Sequence, residues 1–217
     1  MLNHDTRNKI QDLISGTVIN WQADYCTTTR NYLCTSFSPG TTVKKDFEGQ
    51  QQIKKEQAVA LETYISKKGL WLMKPPQAQH LLTIGGEAEI YIDVEQQQVI
   101  KLNDAIYYAT WLDYLTSILI HNLLFPETGY ELTGFSKRDH ELVAVLTQPY
   151  IISDAAVNLQ EVKAALEFIG FNNTRRNDYY NKELGVILED IHDENVIVNS
   201  GFMFFIDTVF YVNLEGK

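Results

Sequence analysis

Cysteine is nearly absent from this chain, and positive charge is scarce. Only Cys26 and Cys34 occur in 217 residues. Two thiols make neither a disulfide framework nor a thiolate metal cluster, so free thiols in a cytoplasmic protein are the expectation. The net charge of −10 excludes nucleic-acid binding through a basic surface. No apolar run reaches membrane-spanning length. The richest, residues 111–125, carries Asp113, Thr116, Ser117 and His121 and reads as a buried helix, so no membrane partner is expected. The first ten residues, MLNHDTRNKI, lack the apolar core of a signal peptide. Internal repeats are missing too, and the only low-complexity tracts are Gln50–Gln52 and Gln96–Gln98. What the chain does hold is 45% hydrophobic and 12% aromatic residues, enough to bury a core and to argue against disorder.

Apolar spacing predicts a short helix over 4–15, with Ile10, Leu13 and Ile14 on one face. A polar, turn-rich stretch follows through Ser38-Pro39-Gly40. A longer helix is predicted over 43–67, with Phe47, Ile53, Val59, Leu61, Tyr64 and Ile65 as apolar contacts and Gly69 as its stop. From Trp71 the texture changes to strands. Residues 81–84, 87–94 and 98–102 read as an antiparallel meander turning at Gly85-Gly86. A helix over about 105–125 is cut by Pro126. Strands over 130–135 and 141–148, with a hairpin turn at 137–139, precede a helix around 159–169 and a last set of short strands. The expected class is α+β with three parts: a helical extension over 1–75, a sheet-bearing unit over 76–150, and a small unit over 151–217.

Chemistry concentrates in the last part, in LEDIHDENVIV (188–198) and FMFFIDTVF (202–210). Asp190 stands five residues before Asn195, and Asp207 twelve after it, each at the mouth of a short apolar run. Phosphoryl transfer from a nucleotide needs a carboxylate to orient the attacking hydroxyl. It also needs an amide and a second carboxylate to hold the magnesium that bridges the phosphates. Asp190, Asn195 and Asp207 supply those types in the chain order of a kinase catalytic loop and metal-binding strand. An Asp after a buried strand is otherwise a common turn cap, and it is the apolar framing that raises the functional reading.

The remaining parts follow by position. Lys101, on a strand after the glycine turn, is placed to hold nucleotide phosphates; the bland alternative is a lysine with its head in water. Gly85 and Gly86 would let backbone amides approach phosphate oxygens, although no full GxGxxG is present. A kinase lysine pairs with an acid on the following helix. That helix has no Glu before Pro126, so Asp113 is the candidate, with Asp104 better suited to a cap. The base would lie against the strand ending at Gln148-Pro149-Tyr150, with amides of Gln148, Tyr150 or Ile151 as donors and Ile197 as the floor.

With those residues in place, the chain resembles the kinase-like domain of polyvalent proteins, large multidomain proteins carried by phages and conjugative elements. The resemblance is carried by GGEAEIY, the IKL around Lys101, HNLLFPETGYELTGF (121–135), QPYI, IGF, and DIHDENVIV with FFID, over roughly 55–212. DIHxxN is also similar to the loop of aminoglycoside- and choline-kinase-like enzymes. The resemblance implies a protein-kinase-like two-lobed fold: a five-stranded antiparallel N-lobe sheet, a truncated C-lobe and the N-terminal helical extension. It further implies a bacterial or mobile-element origin and an ATP- and magnesium-dependent phosphotransferase acting on a hydroxyl of a protein or small molecule. His192 stands where protein kinases place a lysine near the transferring phosphate, and it would assist there or orient the loop. Glu189 replaces the usual Arg before the catalytic Asp, Asp207-Thr208-Val209 lacks the glycine of Asp-Phe-Gly, and only ten residues follow Asp207. These departures keep open a catalytically inactive pseudokinase serving as an interaction module. A metal-dependent hydrolase using Asp190, His192, Asp193 and Asp207 is the third reading.

Overall fold

The computed structural model describes residues 2–37, 47–74, 76–86, 88–95 and 97–213. Helix α1 (His4–Ile14) starts at Asn3, whose side chain accepts the Thr6 N–H, and it buries Ile10, Leu13 and Ile14. A second helix, α2 (Tyr25–Ser36), lies where the sequence read as turn-rich. Threonines are weak helix formers, but Asp24 caps the helix by accepting the Thr27 N–H, and packing holds the rest. Helix α3 (Phe47–Lys68) ends where expected, before Gly69 at φ +67°; the predicted start at 43 lies outside the described residues. Leu61 and Ile65 are buried as read, and Tyr64 stacks on Tyr32 at 4.5 Å between ring centroids, whereas Ile53 and Val59 are exposed.

The antiparallel five-stranded sheet is present. Strands β1 (Leu81–Ile84), β2 (Ala88–Asp93), β3 (Gln98–Asn103), β4 (Glu131–Arg138) and β5 (Glu141–Pro149) run in the order β1-β2-β3-β5-β4. At the β4 edge the chain segment 70–72 lies alongside: the Leu72 N–H donates to the Phe135 carbonyl, and the Phe135 N–H donates to that of Leu70. Gly134 makes this approach possible, because a Cβ there would stand 2.6 Å from the Leu70 carbonyl oxygen. The predicted 1–75 extension is thus hydrogen-bonded into the sheet at its far end.

Helix α4 (Trp111–Leu124) begins later than read, because Thr110 caps it and 105–110 form a turn; it stops at Phe125, before Pro126. It is buried on nearly every side, from Trp111 to His121. Helices α1 and α2 pack on it. Gln57 of α3 accepts the Leu112 N–H at 3.0 Å, satisfying one of its orphan first-turn donors. Arg30 of α2 is fully buried and donates to the Leu13 carbonyl at 2.7 Å, the Thr17 carbonyl at 2.9 Å and Thr116 Oγ1 at 3.1 Å. It therefore joins the negative C-terminal end of α1 to the middle of α4. Burial lowers its pKa from the ordinary value.

Helix α5 (Leu159–Phe168) follows, then β6 (Asn172–Arg175), β7 (Asp178–Asn181), β8 (Val186–Glu189), β9 (Val196–Asn199), β10 (Phe202–Phe205) and β11 (Val209–Val212). Strands β9 and β10 form a hairpin, and the other four make a sheet in the order β11-β8-β7-β6. The polar β6–β7 hairpin has no counterpart in the sequence reading. A single core runs from Ile10 and Leu33 through Leu115 and Phe135 to Leu166, Val186 and Phe210. Leu102, Val143 and Val145 pack separately. Among the described residues, no helix is long and apolar enough to cross a membrane.

Candidate active site

Three short pieces of chain build the site. Strand β3 carries Lys101 inward, with only 6% of its side chain exposed. Its ammonium donates to the Ile206 carbonyl at 2.9 Å and lies 3.4 Å from Tyr130 Oη and 3.5 Å from Asp207 Oδ1. It also sits 5.1 Å from the centroid of the Tyr130 ring, within cation–π range. A buried ammonium without such partners would be costly; here a carboxylate, a carbonyl, a hydroxyl and a ring face share the charge.

Asp190 follows β8 in the left-handed region, at φ +65°, and is largely exposed. Asn195 stabilises that turn: its Nδ2 donates to the Asp190 carbonyl at 2.8 Å and lies 3.3 Å from Asp190 Oδ2. The Glu194 N–H donates to His192 Nδ1 at 3.2 Å, and His192 Nε2 lies 3.1 Å from Asn195 Nδ2 and 3.5 Å from Asp190 Oδ1. The Asn195 carbonyl accepts the Ile206 N–H at 3.0 Å. The Ile206 peptide therefore touches both groups: its carbonyl holds Lys101, its N–H holds the Asp190–Asn195 loop, and Asp207 is the next residue.

Asp113, expected beside Lys101, is turned elsewhere. It accepts the Thr110 hydroxyl at 2.7 Å in the first turn of α4, while Lys101 makes its ion pair with Asp207. The α4 residues that line the small cleft around Lys101 are Tyr114, Ser117 and Ile118. Gln148 is buried, and its side chain donates to the Thr128 carbonyl at 2.6 Å. The Tyr150 N–H is committed to the Gln97 carbonyl at 2.9 Å, which removes it as a donor to a base. Ile197 pairs with Phe204 across the β9–β10 hairpin, half-buried. The Gly85 N–H donates to the Ala88 carbonyl, and Gly86 lies against Tyr107, where a Cβ would stand 2.5 Å from the hydroxyl.

Sequence reasoning missed the layer behind Lys101 and Asp207. His121 of α4 is fully buried. Its Nε2–H donates to the Thr128 carbonyl at 2.9 Å, and its Nδ1 accepts the Thr208 hydroxyl at 2.7 Å. Burial lowers its pKa to about 4, so the ring is neutral. Asn122 clamps Tyr130 by both backbone groups, at 2.7 Å each, and the Tyr130 hydroxyl donates to the Ile206 carbonyl at 2.8 Å. The HN…TGY string contains His121, Asn122, Thr128 and Tyr130, but spacing alone does not reveal which side chains turn inward. Among the described residues, no group of three or more His, Cys, Asp or Glu side chains is gathered to hold a metal, and the hydrolase reading gains no support.

A buried strand lysine paired with the aspartate that ends a later strand, beside an Asp-x4-Asn loop, is the residue set of a kinase-like domain. The chain belongs to the kinase family of polyvalent proteins: residues 54–214 match the family described as serine/threonine/tyrosine kinase found in polyvalent proteins. Neither a curated protein nor a solved structure matches it.

Proposed function

We propose that this domain is an ATP- and magnesium-dependent phosphotransferase acting on a hydroxyl of a protein or small molecule. The observation that carries the reading is the Ile206–Asp207 segment, which hydrogen-bonds Lys101 on one side and the Asp190–Asn195 loop on the other. The residues fit the nucleotide and metal. Lys101 supplies the cation for phosphate oxygens. With its Nδ2 engaged by Asp190, Asn195 has Oδ1 as the atom suited to a hard cation, and Asp207 offers a carboxylate oxygen. Magnesium, when bound, supplies charge neutralisation between the phosphates. Asp190, exposed at the loop tip, orients an incoming hydroxyl and takes its proton, with the His192 ring beside it. Most of the rate enhancement in such a site comes from positioning and electrostatics.

A catalytically silent module that binds a protein partner is the second reading. It is favoured by Lys101 engaging a backbone carbonyl and Asp207 rather than a helix carboxylate. The test is thermal unfolding with ATP, GTP and magnesium, separately and together, on wild type and Asp207→Ala. The phosphotransferase reading expects a rise in Tm only with nucleotide plus magnesium, lost in the variant; at a hundredfold excess over Kd the gain is about 2.7 kcal/mol. No shift under any combination favours the silent module.

A further inference from the structure

In the kinase arrangement a glutamate on the helix after the lysine strand steadies the lysine. Here that helix offers Tyr114, Ser117 and Ile118 to the cleft, and Asp113 bonds Thr110. We propose that Tyr130 is the positioning residue that replaces the helix glutamate. Its hydroxyl donates to the Ile206 carbonyl at 2.8 Å, and a lone pair faces the Lys101 ammonium at 3.4 Å. The same oxygen lies 3.4 Å from Asp207 Oδ1, so one phenol holds the cation, the peptide and the carboxylate in register.

The phenol is itself held on two sides. Asn122 accepts the Tyr130 N–H and donates to its carbonyl, fixing the backbone to α4. The neutral His121 ring lies 4.6 Å from the Tyr130 ring, between centroids, and is pinned by Thr208 and Thr128. Helix α4 thus acts on the lysine through two neighbouring side chains and a tyrosine, with no charge of its own. Because nothing in this link is an ion pair, screening by salt does not loosen it as it would an exposed pair.

The inference rests on the phosphotransferase reading for its consequence and on geometry for its mechanism, and two readouts separate them. The first is the acetylation rate of Lys101 by acetic anhydride without nucleotide, followed by peptide mass spectrometry in wild type and Tyr130→Phe. Removing one hydrogen bond to a charged group is expected to raise it on the order of tenfold, with surface Lys9 and Lys137 unchanged. The second is Mg·ATP affinity by calorimetry, expected to fall on the order of tenfold by the same bond's loss. An unchanged Lys101 rate overturns the proposal, whatever the nucleotide does. A raised rate with unchanged Mg·ATP affinity, in a wild type that binds it, also overturns it. A raised rate in a protein whose wild type never binds Mg·ATP keeps the geometry but overturns the phosphotransferase reading. If Tyr130→Phe does not fold, Asn122→Ser, which keeps the hydroxyl but frees its backbone, carries the test with smaller changes in the same directions.

Discussion

Replacing Arg30 by methionine keeps most of the side-chain volume and removes every donor that it places in the core. The three acceptors do not suffer equally. The Leu13 carbonyl keeps a second donor, the Gly16 N–H at 3.2 Å. The Thr17 carbonyl and Thr116 Oγ1 lose the guanidinium that serves them. Thr17 is exposed, so water can take over at its carbonyl, whereas leaving the buried Thr116 Oγ1 without this donor costs about 1–3 kcal/mol. Against this, the wild type carries the desolvation of a buried guanidinium, several kcal/mol offset by its hydrogen bonds, and the methionine variant escapes it. The net expectation is a loss of about 1–2 kcal/mol. For a domain of this size each kcal/mol is worth roughly 2–4 °C, so Tm should fall by about 2–8 °C. Urea unfolding followed by circular dichroism, with calorimetry for Tm, measures both. A Arg30→Met protein within about 0.5 kcal/mol of wild type, the usual range for an indifferent surface change, would refute the reasoning. It would mean that water serves these groups, or that α1 and α2 do not unfold with the sheet.

Two further outcomes follow from the site. Asp190→Ala should lower phosphoryl transfer by about 10²–10⁴, the usual worth of a positioned general base, while Mg·ATP affinity by calorimetry stays near wild type; retained turnover would remove Asp190 from its role. His121 is neutral when folded because burial lowers its pKa to about 4. In the unfolded chain it titrates near 6.5, so its contribution is full above that pH and is lost as pH falls towards 4, roughly 3 kcal/mol in all. Denaturant titrations from pH 7.5 to 4 should show this fall in wild type and a flatter profile in His121→Asn.

The parts legible in the sequence were those set by local rules. Pro126 ends α4, Gly69 ends α3, and alternation places the five strands. Asp190, Asn195 and Asp207 stood out because each sits at the mouth of a short apolar run. Helix α2 was missed because its composition, YCTTTRNYLCTS, has a narrow apolar stripe; the available signal was Asp24 three residues before Thr27. Arg30 could not be picked out, since arginine is read as a surface residue and only the fold brings three acceptors around it. The β6–β7 hairpin was hidden by its polar sequence and by pairing partners that come later in the chain. Asp113 was chosen for its charge, but its place in the first turn gives it a hydroxyl partner in Thr110. Tyr130 was invisible for the opposite reason, because an uncharged aromatic at a strand entry reads as core.

The strip at 70–72 also bears on self-association. It covers one edge of the sheet, and the opposite edge is β1, four residues long. A fragment beginning at residue 76 would bare the backbone groups of β4 that Leu70 and Leu72 now engage. Two open edges on a five-stranded sheet invite stacking of one copy on another, so such a fragment should be prone to aggregate even if its core is intact. The helices at the start of the chain thus come with a built-in guard against fibre growth.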